Sequence, residues 1–244
     1  MPLPLLYGSV GVLTRARSGT RLMAEFDAHD ASTVILSGAN VTGWNDRSGN
    51  GRHATTPVGH TVYPAYDAGT GELIWNAFAG VMGLNAPIPG APKMSFIVVG
   101  TRAAQTFTSA SSNRPIICSP VTPSRGIPIR TVREGASPAQ AFVANAFGQP
   151  VVSASWPNGT REAWCVLVDA IADSIRIVSA GGTDQTLATA GLIAANLAAG
   201  TQMHIGYEPS VPARCYTGRV ERLRVYHGLL SAAAMSDALA WGIS

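Results

Sequence analysis

The stretch Val41-Thr42-Gly43-Trp44-Asn45-Asp46-Arg47-Ser48-Gly49-Asn50-Gly51-Arg52-His53-Ala54 predicts a strand, a tight turn and a second strand. Val41, an apolar β-branched residue, and Trp44 precede the turn. The short polar side chains that follow hydrogen-bond their own backbone, and the glycines accept positive φ. This pattern indicates architecture rather than chemistry. The residues assigned to the structural turn are Trp44, Asp46, Ser48, Gly49, Asn50 and Gly51.

The length and composition of the chain favour one all-β domain. The chain has 244 residues, of which 46% are hydrophobic and 13% are charged, so there is ample material for a core. Short strands separated by turn clusters continue from Leu22 onward, as in a sandwich or barrel. We therefore predict an antiparallel sandwich of two sheets over residues 21–244, preceded by an apolar N-terminal arm over residues 1–20. The alternative for residues 1–20 is a first strand packed on its own domain.

The patterns of three segments predict specific structural features. Residues 94–100 are apolar at both parities, which predicts a central strand covered on both faces. Residues 164–168 and 175–178 flank a turn and predict a hairpin. In residues 218–226 the apolar positions change parity, which indicates a bulge or two covered faces.

The end of the chain predicts a short helix packed on the sandwich. Ser231 is a suitable N-cap, and Met235 and Leu239 lie one turn apart on the same helical face.

Charge and hydropathy exclude two classes of partner. The formal net charge is +3, but the basic residues form no run or stripe of the kind that binds nucleic acid. There is no stretch of eighteen apolar residues, so we expect no insertion into a membrane. The N-terminal segment also lacks the basic start of a secretory signal.

The cysteines and histidines predict no metal site. Cys118, Cys165 and Cys215 are far apart and lack the close pairs of zinc ligands, and Cys165 is expected to be a buried small hydrophobe. Asp46 and Asn50 could contribute to a calcium site, but they supply too few oxygens alone, and an Asx-type turn is the preferred interpretation. We therefore predict no cofactor, with calcium as the alternative.

The order of three motifs resembles the concanavalin A-like lectin/glucanase family, in particular its laminin-G-like modules. The first is the turn of residues 44–51 with the preceding residues 25–33. The second is Phe78-Ala79-Gly80 followed by Leu84. The third is Ile205-Gly206 followed by residues 216–231, which are similar to the family's closing strand and terminal helical turn. The resemblance covers residues 22–242, and residues 1–20 have no counterpart in it.

The resemblance implies a jelly roll of two packed sheets, one of them curved to give a concave face, and it implies no single activity. Such modules are common in phage virion proteins and bacterial surface proteins. The expectation is a surface-exposed virion component, such as a decoration, fibre or tail-associated protein. It would be oligomeric in the particle, attached to other virion proteins through the arm, and would bind host-surface glycans. The alternatives are a virion assembly protein without a ligand and a bacterial cell-surface module.

Catalytic members of the superfamily carry two glutamates and an aspartate alternating on one strand, since glycoside hydrolysis needs an acid and a nucleophile. The nearest pattern here is Glu25, Asp27 and His29, whose third member is a histidine and whose place matches the opening strand. We therefore expect a non-catalytic protein and keep a polysaccharide-degrading glycosidase as the weaker hypothesis.

Aromatic side chains beside amide or guanidinium groups are the residues most suited to bind carbohydrate. Trp156, in a loop-like segment next to Asn158, is the best candidate for an exposed indole. The alternative is a buried ring, since a tryptophan is buried more often than it contacts a sugar. The complete predicted set is Trp156, Asn158, Tyr207, Arg214 and Tyr216.

Overall fold

The computed structural model describes residues 19–76, 83–102, 114–118, 128–133, 140–144, 152–157, 159–188, 202–207 and 216–244. This part of the chain contains seventeen strands and one α-helix, α1 (Ala232–Ile243). The strands are, in chain order, β1 (Arg21–Asp27), β2 (Val34–Ser37), β3 (Asn40–Trp44), β4 (Ala54–Thr55), β5 (Ala65–Asp67), β6 (Glu72–Asn76), β7 (Leu84–Ala86), β8 (Lys93–Arg102), β9 (Arg114–Cys118), β10 (Pro128–Arg133), β11 (Gln140–Ala144), β12 (Val152–Ser155), β13 (Arg161–Asp169), β14 (Ser174–Ser179), β15 (Asp184–Ala188), β16 (Met203–Ile205) and β17 (Thr217–His227).

The strands pair antiparallel and form two layers, which confirms the predicted all-β sandwich. The first sheet has the order β15-β14-β13-β8-β17-β1. The second sheet has the order β2-β3-β4-β7-β16-β9-β10-β11-β12. β6 pairs with the start of β17, and β5 pairs with β6 and β3, so hydrogen bonding continues from one layer into the other.

Alternate residues of both sheets fill the space between the layers. Phe26 and Trp44 pack with their rings 5.2 Å apart, and Met94, Phe96 and Val98 of β8 point into the same cluster. The apolar area that this removes from water is the main stabilising contribution to the fold. The core therefore lies between the two sheets and consists of the side chains that alternate strand positions direct inward.

β8 is covered on both faces, as its sequence predicts. The side chains of Ile97 and Val99 point away from the interlayer core and contact α1 through Met235 and Leu239. The hydroxyl oxygen of Ser231 accepts a hydrogen bond from the amide of Ala234, so the predicted N-cap is confirmed. α1 therefore covers the outer face of the first sheet.

The turn between β3 and β4 is fixed by one carboxylate. The Asp46 oxygens accept hydrogen bonds from the amides of Glu25, Ser48 and Arg52 and from the Ser48 hydroxyl, at 2.8–3.0 Å. Gly49 adopts φ 81°, which a side chain would disfavour. The Asp46 carboxylate thus binds amides of its own turn and also the amide of Glu25 in β1.

Three further local predictions are also confirmed. β13 and β14 form the expected hairpin. In β17 the register against β8 shifts between Val220 and Arg222, and the extra residue is Glu221. This bulge lets Val220 and Leu223 both reach the core despite their opposite parity. Cys165 is fully buried, as expected for a small hydrophobe.

Several predicted features fall outside the described residues. Residues 1–18 of the expected arm, Phe78-Ala79-Gly80 and Cys215 are among them. Within the described ranges, no helix has the length and apolar character needed to span a bilayer.

Candidate functional site

The structure gives Trp156 a different position from the one its sequence predicts. Only 1% of its surface is exposed, so the expectation of an exposed indole is wrong. The loop does turn, but the side chain folds back into the sandwich. Its Nε1 donates to the carbonyl of Thr160 at 2.9 Å, and its ring lies 6.0 Å from that of Trp164. Satisfying the indole donor through the local carbonyl makes the buried position favourable.

The other predicted carbohydrate contacts separate into different environments. Tyr216 is fully buried and packs against Trp75 in the interlayer core. Tyr207 is also buried, but its hydroxyl group contacts polar residues of the second sheet. Asn158 and Arg214 lie outside the described residues. A glycan contact through these five residues stays a prediction.

Tyr207 belongs to a polar cluster that the sequence analysis did not identify. We call Tyr207, His204, Asn85 and His60 the His204 cluster. The Tyr207 hydroxyl donates to Oδ1 of Asn85, and Nδ1 of His204 lies 2.7 Å from that oxygen and 3.0 Å from the hydroxyl. The His60 and His204 rings meet the Tyr207 ring edge-on, at 5.4 and 5.2 Å. Two imidazoles, an amide and a phenol therefore form one connected group.

Strand alternation brings Asn85 and His204 of the His204 cluster to the outer face of the second sheet. Asn85 and His204 are directly opposite each other in the pairing of β7 with β16, and each is flanked by residues of the core. Because neighbouring residues of a strand point to opposite faces, both side chains point away from the core. The exposed Thr55 of β4 pairs with Asn85 and extends the same polar row.

Burial keeps the two imidazoles of the cluster neutral. It lowers the pKa of His204 to about 4 and also lowers the pKa of His60. A neutral imidazole offers one donor and one acceptor nitrogen. At neutral pH the cluster therefore presents uncharged hydrogen-bonding groups.

The carboxylates expected to be closest to a catalytic pattern are held in ion pairs. Glu25 accepts from the Arg224 guanidinium at 2.8 Å. Asp27 lies 3.3 Å from guanidinium nitrogens of both Arg47 and Arg222. These residues lie on the outer face of the first sheet, on the side that α1 covers.

His29, the third member of that pattern, binds a carboxylate elsewhere in the chain. Its Nε2 lies 3.2 Å from Oε2 of Glu221, a buried residue. Arg161 donates to the same carboxylate through Nε at 2.8 Å and Nη2 at 2.7 Å. Two partners thus surround Glu221, as a buried charge requires.

No cluster suited to a metal ion is found among the described residues, meaning three or more His, Cys, Asp or Glu side chains in one place. The Asp46 oxygens, considered above for calcium, are engaged by the amides of their own turn and of β1. Asn50 uses its Nδ2 to donate to the carbonyls of Leu22 and Met23. The geometry of the described residues is that of an Asx-type turn.

A groove of about 370 Å³ lies between α1 and the end of β14. It is lined by small and apolar side chains, among them Val178, Met235 and Leu239, with Ser179 and Ser236 as polar members. The lining contains no aromatic ring. Sugars are bound mainly through aromatic faces and planar polar groups, so this groove is less suited to a glycan than the His204 cluster.

Solved structures with a similar fold include several domains from carbohydrate-related proteins. Domain 4 of AbnA, a GH43 extracellular arabinanase from Geobacillus stearothermophilus solved in complex with arabinotriose, has a TM-score of 0.62 and 14% identity, covering 90% of this chain and 98% of that chain. The sialidase of Trypanosoma rangeli in complex with sialic acid has a TM-score of 0.58 and 13% identity, covering 90% of this chain and 33% of that chain.

The receptor-binding domain of botulinum neurotoxin type G is also similar, with a TM-score of 0.56 and 13% identity over 91% of this chain and 51% of that chain. No protein-family model and no curated protein sequence matches the chain. At these identities the similarity shows the β-sandwich fold and no particular family within it.

Proposed function

We propose that this protein is a non-catalytic, lectin-like β-sandwich that binds a glycan on the outer face of its second sheet, at the His204 cluster. The observation that carries the proposal is the connected group of Asn85, His204 and Tyr207 on that face. The similarity in fold to domain 4 of an arabinanase, solved with arabinotriose, supports it.

The hydrogen-bonding capacity of the cluster fits neutral sugar hydroxyls. Oδ1 of Asn85 is used inside the cluster, while its Nδ2 donates to no described residue. His204 likewise uses Nδ1 and leaves Nε2 without a partner among the described residues. An amide donor beside a neutral imidazole can form a pair of hydrogen bonds to adjacent hydroxyl groups.

The ion pairs of the described carboxylates support a role without catalysis. Glycoside hydrolysis needs one carboxyl group to donate a proton and another to attack or to activate water. Glu25, Asp27 and Glu221 are instead each bound by at least one arginine, which occupies their carboxylate oxygens.

A glycan array followed by calorimetry tests the proposal. We expect saturable binding of at least one neutral glycan and a loss of roughly tenfold or more in affinity in Asn85→Ala and His204→Ala. Gln185→Ala, at an exposed position of β15, is the matched control and should bind as the wild type does.

Three results would overturn the proposal. The first is the absence of saturable binding across the array. The second is unchanged affinity in both cluster variants. The third is the release of reducing ends from a polysaccharide, which would mean that the protein is a glycosidase.

We place this binding function on a virion surface, with host-surface glycans as the ligand class. The support is the sequence resemblance of residues 22–242 to laminin-G-like modules of virion proteins. Mass spectrometry of the purified virions should then detect the protein. Its recovery only from cell envelopes would favour a bacterial surface protein instead.

A role in assembly without a ligand is the second candidate, and β2 favours it. Among the described residues, β2 pairs only with β3, and Ile35 and Leu36 are 44% and 48% exposed. A free, apolar strand edge can accept a strand from another subunit. Ile35→Lys together with Leu36→Lys should then abolish attachment to the particle, whereas the glycan proposal predicts no effect of these changes on glycan affinity.

A further inference from the structure

Arg102 places a positive charge in the interior of the sandwich. It is the last residue of β8, shares the parity of Phe96 and Val98, and has no exposed surface. Its Nη1 donates to the carbonyl of Trp156 at 2.7 Å. Its Nε and Nη2 are buried and have no acceptor among the described residues. These two nitrogens lie on the same edge of the guanidinium, where their N–H groups form the parallel fork that binds a carboxylate through both oxygens.

Two further buried hydrogen-bonding groups belong to residues next to Gly218, the residue of β17 that pairs with Arg102. Gly218 of β17 pairs with Arg102 on one side and with Trp75 of β6 on the other, so the three residues form one row across the sheet. The Tyr216 ring lies over Gly218, and a side chain at Gly218 would overlap its hydroxyl group. The Tyr216 hydroxyl and the Trp75 Nε1 are both buried, and neither has a hydrogen-bond partner in the part of the chain that the structure describes.

Among the described residues, the only hydrogen-bond acceptor that these three side chains contain is the Tyr216 hydroxyl oxygen, and it accepts from none of them. An indole N–H and a guanidinium can only donate, and a tyrosine hydroxyl can do so. Glu72 acts electrostatically on Tyr216, but its carboxylate accepts from Arg219 and from Thr70. A buried guanidinium without a counter-charge is costly, by several kcal/mol. Burial lowers the pKa of Arg102 to about 10, so the group is still charged at neutral pH.

We infer that Arg102, Tyr216 and Trp75 form an internal binding site for a small carboxylate. The fork of Arg102 would take both carboxylate oxygens, while the tyrosine hydroxyl and the indole N–H donate to the same anion. All three side chains are buried, so the ligand that we infer is a small carboxylate such as formate or acetate. The site is inside the sandwich, whereas the proposed glycan site is on the outer face of the second sheet. Either proposal can therefore be wrong while the other holds.

Thermal unfolding of the full chain in acetate or formate, with chloride at equal ionic strength as the reference, tests the inference. We expect a saturable rise in Tm of roughly 5 °C when the site is filled. The rise should be absent in Arg102→Met. Arg176→Met is the matched control, since this arginine forms an exposed ion pair with Asp184, and the variant should keep the rise.

A second, more conservative variant keeps the inference testable if Arg102→Met does not fold. Tyr216→Phe removes only the hydroxyl and keeps the ring over Gly218. It should fold and should raise the acetate concentration at half-saturation roughly tenfold.

Three outcomes would overturn the inference. One is a Tm that responds to acetate no more than to chloride, which would mean that water satisfies the donors. Another is an acetate response of normal size and midpoint in both variants. The last concerns Glu134 and Glu208, the glutamates outside the described residues. If Glu134→Gln or Glu208→Gln creates an acetate response that the wild type lacks, the carboxylate belongs to the chain itself.

Discussion

The carboxylate of Asp46 accepts a hydrogen bond from the backbone amide of Glu25 at 2.9 Å, and the amide of Arg47 donates to the carbonyl of Glu25 at 2.7 Å. These two bonds join the turn after β3 to the middle of β1. β1 belongs to the first sheet and β3 to the second, so the turn connects the layers through its backbone as well as through the core.

Removal of the Asp46 carboxylate should destabilise the whole domain. Asp46→Ala leaves the amides of Glu25, Ser48 and Arg52 without their acceptor, which we expect to cost about 2–4 kcal/mol in the free energy of unfolding. Urea denaturation monitored by tryptophan fluorescence measures this loss. A loss below about 0.5 kcal/mol would contradict the role given to the carboxylate.

The same turn should make stability depend on pH in the acid range. Burial acts to raise the pKa of Asp46, but the hydrogen bonds from Glu25, Ser48 and Arg52 outweigh it and hold that pKa below its ordinary value. The ionised form therefore stabilises the fold above the ordinary carboxyl pKa, and this contribution disappears as the pH falls through the lowered pKa. The stability difference between wild type and Asp46→Asn should narrow below about pH 4.

His204 should produce a second pH dependence in a higher range. Its pKa is lowered to about 4 by burial, so the unfolded chain binds a proton there that the folded chain does not. Stability should fall by up to about 3 kcal/mol as the pH decreases from about 6.5 to 4, and no further below it. His204→Gln should remove most of this slope, and His60→Gln separates the contribution of the neighbouring imidazole. An identical slope in His204→Gln would refute the assignment.

Gly83 keeps Tyr207 in place. A side chain at this position would overlap the Tyr207 ring, so Gly83→Ala should displace its hydroxyl from Asn85 and His204. We expect a loss of about 1–3 kcal/mol in stability, and a His204 pKa that NMR titration finds closer to its ordinary value. Gly69→Ala is the control, because its added carbon meets only the Asp67 carboxylate at 3.3 Å. An unmoved His204 pKa in Gly83→Ala would contradict the packing described.

Trp241 of α1 should contribute to stability through two arginines. The guanidinium carbon of Arg224 lies 3.5 Å from the centre of the Trp241 ring, that of Arg222 lies 5.3 Å away, and Arg222 also donates to the Trp241 carbonyl. Trp241→Ala should cost about 1–3 kcal/mol, and Trp241→Phe should recover part of it by restoring a π face. Equal losses in both variants would show that the π face contributes nothing.

The fold was predictable because its signals are local. The turn of residues 44–51 is recognisable from Asp46 and Ser48, which bond two positions apart, and the helix start from Ser231 alone. The covered faces of β8 follow from apolar residues at both parities. Each of these patterns is contained in one stretch of about ten residues.

The candidate site was not predictable, because pairing over long sequence separations creates it. Asn85 and His204 are 119 positions apart and meet only through the register of β7 with β16. The single polar residue between apolar neighbours in Leu84-Asn85-Ala86 and Met203-His204-Ile205 was the available signal. Trp156 was placed wrongly because the orientation of its indole depends on one carbonyl, which sequence patterns do not specify.

The position of β8 decides where slow hydrogen exchange should be found. This strand is hydrogen-bonded to β13 and β17, and apolar side chains cover it from both sides. Its central amides, such as those of Ile97 and Val98, can then meet solvent deuterium only when the whole domain opens. Their exchange rates consequently report the free energy of opening the whole domain. Amides of the exposed edge strand β2 should exchange much faster, through local fluctuations.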